Sequence, residues 1–273
     1  MEKSLVNRLE VKDTVLTLTQ GLLFVREWLP SSPVSNEPLI MLHDSLGSVA
    51  QWRDFPAVLS QRLQRPVIAY DRLGFGQSSR CSRLPSYTFI DEEAEQVFPQ
   101  LCRLMNIKRY SLLGHSVGGV MALTIAATDQ KNCEAVVSIS AQAFVEDRTL
   151  AGIRQALRHF GETGAFSKLE KWHGDKAQWV LDAWTETWLS SDFRSWNLDA
   201  CLNQVTSRAL IIHGDHDEYG SIAFPQHITS RVRGPVKMCI LQDCGHLPHV
   251  EYNTQVVDLI DRFFSKSHHY EGD

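Results

Sequence analysis

The sequence has no apolar run that approaches the length of a membrane span, so it predicts no transmembrane helix. Its first ten residues hold too many charged side chains for a secretory signal peptide. We therefore expect a protein of the cytoplasm that has no membrane partner.

The chain also lacks an excess of either charge. Its net charge is −5 and its isoelectric point is near 6.1, so we expect no nucleic-acid partner. Its six cysteines form no C-x-x-C pair, which argues against a zinc site or a disulfide framework and fits a reducing compartment. The sequence predicts neither a metal nor an organic cofactor.

Composition is otherwise ordinary. Hydrophobic residues make up 43% and charged residues 22% of the 273 positions, as in typical globular domains. A chain of this length buries about three-quarters of its unfolded surface in one core. We expect a globular protein without internal repeats.

The most informative segment is Gly114-His115-Ser116-Val117-Gly118, which matches the pattern G-x-S-x-G. An apolar, strand-like run precedes it and a helix-like run follows it, so the chain turns sharply with the serine at the apex. The turn places Ser116 near a helix N-terminus, where free N–H groups favour negative charge. We predict that Ser116 is a nucleophile.

A serine hydroxyl needs a base to take its proton and a third group to orient that base. The apolar run 208–213 leads into a loop with three acidic side chains, Asp215, Asp217 and Glu218, and each is a candidate for the orienting group. The spacing after the strand favours Asp217, which leaves Asp215 to bind the loop backbone.

The base is predicted on the loop that follows the apolar run 236–241. His246 is the best candidate because it lies at a strand end, follows a glycine and is close to the last predicted helix. His249 competes locally but has no strand-end position. His115 lies inside the sharp turn and is predicted to pack there, pointing away from Ser116.

A tetrahedral intermediate also needs N–H donors aimed at its oxyanion. The first predicted donor is the backbone N–H of Val117, next to the nucleophile. The second is expected on the loop after the predicted strand 38–43, where we nominate the N–H of Ser45. A helix is predicted to begin near Val49.

Five segments, taken in order, resemble the α/β-hydrolase superfamily. They are residues 43–48, 71–78, 114–119, 214–217 and 244–246. The resemblance implies the roles that the residues suggest: nucleophile Ser116, acid Asp217, base His246, and oxyanion N–H groups at Ser45 and Val117.

The chain departs from the superfamily pattern at Asp44, where many members have glycine, and this leaves the second oxyanion donor open. Asp tolerates unusual backbone angles, so the loop is still expected to form. A serine nucleophile, in place of the aspartate of epoxide hydrolases and haloalkane dehalogenases, argues against those activities.

Eight strand-like runs predict an α/β fold with one mostly parallel sheet flanked by helices. The first two runs have no helix between them and should pair as an antiparallel hairpin at one edge. The runs are 14–19, 22–28, 38–43, 67–70, 109–113, 135–139, 209–213 and 236–241.

Residues 144–205 make a helical stretch too long for a normal crossover, and they hold five of the seven tryptophans. We predict an inserted helical cap over Ser116, with the α/β core formed by 1–143 and 206–273. Four residues are predicted to border the substrate pocket: Phe144, Trp184, Trp188 and His115.

These features predict a serine hydrolase of a small carboxylic ester or lactone. Cleavage of a carbon–carbon bond in a diketone, and thioester or amide hydrolysis, need the same three residues and remain open. The alternative from another class is a non-catalytic member of the fold that binds a small molecule. The sequence predicts a small-molecule partner and leaves the oligomeric state unknown.

Overall fold

The computed structural model describes residues 9–162 and 164–265. Eight strands form a single sheet with the order β1-β2-β4-β3-β5-β6-β7-β8. The strands are β1 Leu9–Thr17, β2 Leu22–Pro30, β3 Leu39–Leu42, β4 Val67–Tyr70, β5 Tyr110–His115, β6 Cys133–Ile139, β7 Arg208–Gly214 and β8 Val236–Leu241.

The predicted α/β sheet is confirmed. Strands β3 to β8 pair in parallel, and β1 and β2 form the predicted antiparallel hairpin at one edge. Strand β1 begins at Leu9 rather than at residue 14, because its register with β2 extends to the pair Leu9–Pro30. A segment with two prolines and three serines follows β2 and leads the chain into β3.

Helices cover both faces of the sheet. They are α1 Phe55–Leu63, α2 Phe89–Glu92, α3 Phe98–Leu104, α4 Val117–Thr128, α5 Asp147–Phe160, α6 Ala165–His173, α7 Ala177–Leu189, α8 Asp199–Leu202, α9 Ala223–Arg231, α10 Pro248–Glu251 and α11 Asn253–Ser265. Across 9–162 and 164–265, every helix is too short or too polar to cross a bilayer.

The helix predicted from near Val49 is interrupted. Residues Val49–Trp52 form a 3₁₀ turn, and α1 starts only at Phe55. Arg53 between them has a positive φ of 52°, which no continuous right-handed helix accommodates. A proline in the first turn of α1 fits the new start, because the N–H that proline lacks has no partner there in any case.

The central strands are buried on both faces, as their continuous apolar sequences require. In β3 and β5, Ile40 and Leu112 pack into the hydrophobic layer on one side of the sheet. Their neighbours Met41 and Leu113 pack into the layer on the other side. This two-sided core fixes the carboxyl ends of the parallel strands at one common edge.

In the described part of 144–205, the regular elements between β6 and β7 are all helical and include α5 to α8. This segment is fastened to the loop that follows β4. The Lys176 ammonium donates to three backbone carbonyls, those of Phe75, Gly76 and Ser78, at 2.5–3.1 Å. His173 accepts from the Gly76 N–H and contacts the Leu46 carbonyl at 2.9 Å. The helices are thereby held over the strand ends.

Candidate active site

Ser116 lies where β5 turns into α4, in the geometry that the G-x-S-x-G pattern predicts. Its φ of 54° and ψ of −126° are strained for a residue with a side chain. Its N–H donates to the Ile139 carbonyl at 2.8 Å, which ties the turn to β6. Such strain persists only where the surrounding structure holds the residue in place, and here β5 and α4 hold Ser116 from both sides.

Two glycines make this turn possible. A Cβ on Gly114 would lie 2.0 Å from the carbonyl oxygen of Gly118, across the turn. A Cβ on Gly118 would lie 2.1 Å from the carbonyl oxygen of Leu42, at the end of β3. Neither backbone atom can move without displacing a buried strand or helix, so the sequence pattern is a steric requirement of this fold.

Asp217 and His246 meet although they follow different strands. The His246 Nδ1 donates to the two carboxylate oxygens of Asp217 at 2.8 and 2.9 Å. Strands β7 and β8 are parallel neighbours, so their carboxyl-end loops emerge side by side. The Tyr219 N–H donates to Asp217 at 2.7 Å and holds the carboxylate toward the ring.

The other two acidic candidates have different partners. Asp215 accepts the Cys244 N–H at 3.3 Å, the loop-backbone role that the sequence suggests. Glu218 accepts the backbone N–H of His246 at 3.2 Å and leaves the imidazole to Asp217. Only the buried carboxylate of Asp217 contacts the ring nitrogen among these three side chains.

A second histidine borders Asp217, and sequence reasoning missed it. The Nε2 of His213, the penultimate residue of β7, lies 3.6 Å from Asp217 Oδ2 and 3.3 Å from the Gly220 carbonyl. Burial lowers the pKa of His213, so the ring is neutral near pH 7. Its position near a strand end was the only signal in the sequence.

The pKa values of Asp217 and His246 shift in the directions that their close contact produces. Burial by itself would raise the pKa of Asp217, but the contact with His246 outweighs it and the pKa is lowered. Burial would lower the pKa of His246, but Asp217, and more weakly Glu218, raise it. Asp217 is therefore ionised, and it stabilises the protonated imidazole.

The Ser116 hydroxyl accepts a hydrogen bond from Gln142 Nε2 at 3.1 Å. In the described part of the chain no hydrogen bond joins this hydroxyl to His246, although both residues line one cavity. Catalytic hydrogen bonds often form only when substrate is bound. Gln142 follows β6, and no sequence pattern pointed to it.

The loop after β3 folds around Asp44. Its carboxylate accepts the Leu46 N–H at 2.8 Å and lies 3.3 Å from His115 Nδ1. Burial would raise the pKa of Asp44, but these two contacts lower it well below its usual range. Its backbone carbonyl accepts from Arg72 at 2.8 Å. Asp44 therefore stiffens the loop in the position where the resemblance predicts glycine.

The two predicted oxyanion donors are free to bind a ligand. Within the described residues, the Ser45 N–H has no hydrogen-bond partner, and Ser45 lines the cavity. Val117 is the first residue of α4, so its N–H has no carbonyl one turn earlier in the helix. Both N–H groups belong to residues beside the sharp turn at Ser116.

Above Ser116 is a cavity of about 280 Å³ between the strand ends and the helices α5 and α7. Three of the four predicted pocket residues line it: Trp184, Trp188 and His115. The prediction for Phe144 is wrong, because its ring faces away and packs against Phe224 and His227, with ring centres 4.9 and 5.2 Å apart.

The remaining wall residues include the predicted Ser45, Ser116 and His246, together with polar and apolar side chains that no sequence pattern marked as wall residues. They are Asp44, Ser45, Leu46, Gln51, Ser116, Gln142, Thr149, Ile153, Glu218, Tyr219, His246 and Leu247. The carboxylates of Asp44 and Glu218 belong to this wall, and no lysine or arginine of the described chain does.

The competing histidine, His249, lies behind the site. Its ring centre is 4.7 Å from that of His115 and 5.0 Å from that of Trp52, and the side chain is buried. Burial, reinforced by His115, holds its pKa well below the usual range. His249 is thus a neutral packing residue, and it does not reach the cavity around Ser116.

The raised pKa of His246 predicts a pH profile. A histidine must be neutral to act as a base, so any reaction that uses His246 as base should slow about tenfold per pH unit below the His246 pKa, with the midpoint above the ordinary value of about 6.5. Glu218→Gln removes one charge that raises this pKa while keeping an oxygen for the His246 N–H. Its midpoint should be lower than that of the wild type, and an unchanged midpoint would contradict this electrostatic account.

Comparison with known proteins shows the fold family of the chain. A family model described as alpha/beta hydrolase fold matches residues 37–179, just over half of the chain. A probable lysophospholipase of Arabidopsis thaliana, BODYGUARD 3, is 28% identical over 107 residues, which is 38% of this chain and 21% of that protein. A human 1-acylglycerol-3-phosphate O-acyltransferase, ABHD5, is 30% identical over 127 residues, or 44% of this chain and 34% of that one.

The chain thus spans only about a fifth to a third of the length of these curated relatives. A solved structure covers much more of it. The 2-hydroxy-6-oxo-6-phenylhexa-2,4-dienoate hydrolase of Rhodococcus sp. strain RHA1 superposes with a TM-score of 0.70 over 94% of this chain and 99% of that one, at 16% identity. At that identity the similarity concerns the fold.

Proposed function

The chain belongs to the α/β-hydrolase fold family, and on that premise we propose that it is a serine hydrolase of small carboxylic esters or lactones. One observation carries the proposal: a strained serine turn opens into a cavity that also holds a histidine paired with a buried carboxylate. Such strain in a non-glycine residue is concentrated at functional sites.

In the proposed reaction, His246 takes the proton of Ser116 as the hydroxyl attacks the ester carbonyl. The N–H groups of Ser45 and Val117 bind the oxyanion, and each donor of this kind is worth about 3 kcal/mol of transition-state stabilisation. His246 then protonates the leaving alcohol. Water attacks the acyl-enzyme with the same histidine as base, which releases the acid and restores Ser116.

Asp217 supports both halves of this cycle. Its hydrogen bond to Nδ1 fixes the tautomer in which Nε2 accepts a proton, and its charge stabilises the imidazolium that forms. The free thiols of the six cysteines fit the cytoplasmic location that is part of this proposal.

The cavity favours a small and uncharged substrate. A volume of about 280 Å³ with two tryptophans in its wall suits a short apolar acyl or alcohol group. The Asp44 and Glu218 carboxylates would repel an anionic one. The two wall carboxylates therefore disfavour a diketone substrate that carries a carboxylate group. The Rhodococcus neighbour is named for a compound of that kind, a dienoate.

A matched pair of esters tests this proposal. The p-nitrophenyl ester of 4-methylpentanoic acid and the p-nitrophenyl half-ester of succinic acid have similar shapes, but only the second carries a carboxylate. Repulsion between unit charges about 10 Å apart costs about 1.7 kcal/mol at an effective dielectric of about 20. We expect kcat/KM to be at least about tenfold higher for the neutral ester.

Glu218→Gln should narrow that difference, because it removes one of the two wall charges. Equal kcat/KM values for the two esters in the wild type would refute only the proposed selection against charged substrates and would leave the serine-hydrolase proposal standing. Absence of turnover for both, together with no labelling of Ser116 by a fluorophosphonate, would refute the hydrolase and favour the non-catalytic binding protein.

A further inference from the structure

Gln142 is buried beside the nucleophile and outside the acid–base pair. Its side chain amide donates to Ser116 Oγ at 3.1 Å, and the residue is only 4% exposed. It follows β6, in a segment whose backbone also carries the strained Ser140, with a φ of 51°. The position of the amide is therefore set by the same strand ends that position the serine.

The other end of this amide has no partner. The Gln142 Oε1 atom is buried and accepts no hydrogen bond within the described chain. An unsatisfied buried acceptor costs about 1–3 kcal/mol, so a fold that keeps one next to a reacting atom is expected to use it. Gln142 lines the same cavity as Ser116 and His246. Once Ser116 Oγ is acylated, a turn of the amide about its terminal bond brings Oε1 to that cavity, where a bound molecule can donate to it.

The strand order indicates which molecule donates to Gln142 Oε1. Strand β5, which ends just before Ser116, has β3 on one side and β6 on the other. The oxyanion loop follows β3, whereas Gln142 follows β6, on the side of the Asp217 and His246 loops. Gln142 thus flanks the side on which a proton passes between His246 and the leaving alcohol, and on which water later approaches the acyl group.

We propose that Gln142 is a catalytic residue that holds the hydrolytic water during deacylation. This role rests on the proposed serine-hydrolase function. A water molecule has two O–H groups, and the site offers two acceptors: Nε2 of His246 takes one, and Oε1 of Gln142 takes the other. The second bond orients the water lone pair toward the acyl carbon.

The step is balanced as a simple hydrolysis. The water oxygen forms a bond to the acyl carbon while its proton moves to His246 Nε2. The bond between that carbon and Ser116 Oγ then breaks, and His246 returns the proton to Oγ. The carboxylic acid leaves, and Gln142 Nε2 again donates to the free hydroxyl, as in the structure.

The test compares water with methanol as acceptor of the acyl group. Methanol has a single O–H, which His246 alone can accept, so its attack should not need Gln142. Gln142→Met keeps the length of the side chain but removes its acceptor. With p-nitrophenyl 4-methylpentanoate in buffer containing methanol, we expect the ratio of methyl ester to free acid to rise about tenfold, the value of one hydrogen bond of about 1.4 kcal/mol.

The same variant should release a burst of p-nitrophenol and then turn over slowly, because deacylation becomes limiting while acylation continues. Gln142→Glu keeps an oxygen acceptor at this position and should return the product ratio to within about threefold of the wild type, a change of under 1 kcal/mol. A purely structural role would slow both acceptors alike and leave the ratio unchanged.

An unchanged ratio in Gln142→Met would overturn the role of Gln142, as would an equal rise in Gln142→Glu. Fluorophosphonate labelling separates this failure from that of the proposed function. If Ser116 labels in the wild type and in both variants, only the water-holding role is at stake. If Ser116 does not label in the wild type, the serine-hydrolase proposal itself fails.

Discussion

Replacing Ser116 by alanine should lower the turnover of a p-nitrophenyl ester by about four orders of magnitude or more, equivalent to about 5.5 kcal/mol of transition-state stabilisation. Without the hydroxyl no acyl-enzyme forms, and what remains is catalysis by the oxyanion donors and by binding alone. Labelling by a fluorophosphonate should be lost as well. Steady-state kinetics and mass spectrometry of the intact protein measure the two effects.

Ser140→Ala is the matched control for this variant. Ser140 is another buried serine with a positive φ, it follows the neighbouring strand, and its hydroxyl has no partner in the described chain. Its loss should change kcat/KM by less than about threefold, a free energy of under 1 kcal/mol. Retained ester turnover in Ser116→Ala, with the fold intact by circular dichroism, would end the nucleophile assignment.

Asp217→Asn should lower kcat by about 10⁴-fold with little change in the fold. An asparagine side chain can present its N–H₂ group to His246 Nδ1, which then must act as acceptor. The proton moves to Nε2, and the ring can no longer take the proton of Ser116. The loss of the carboxylate charge adds to this, because it no longer raises the pKa of His246.

Asp215→Asn tests whether the acid is assigned to the right residue. Asp215 lies two positions earlier on the same loop, and the oxygen of an asparagine there can still accept the Cys244 N–H. We expect its kcat to stay within about threefold of the wild type, since its carboxylate does not contact the imidazole. A larger loss in Asp215→Asn than in Asp217→Asn would reverse the assignment.

The fold followed from local features of the sequence. Apolar runs separated by helical segments predicted the eight-stranded sheet, and the absence of a helix between the first two runs predicted their hairpin. One departure is the 3₁₀ turn at Val49–Trp52. It involves a partner distant in the chain, because the buried Asp71 carboxylate at the end of β4 accepts the Val49 N–H at 2.6 Å.

Only some residues of the candidate site could be predicted from the sequence. Ser116 and His246 stand at strand ends that the sequence marks clearly. Spacing favoured Asp217 over Asp215 and Glu218, and the geometry of two adjacent loops shows which partner each of Asp217 and Asp215 has. Phe144 shows the limit of composition, because this aromatic residue at the start of the segment 144–205 packs against α9 and does not line the cavity. Gln142 and His213 carried no motif at all.

The sequence by itself determined the sharp turn at Ser116, because glycine and serine at fixed spacing control the local backbone angles. It also determined the strands, because burial on both faces requires continuous apolar runs. The tertiary structure alone decided which side chains meet around Ser116. Those contacts join loops that are far apart in the chain, and only the order and register of the parallel strands bring them within hydrogen-bonding distance.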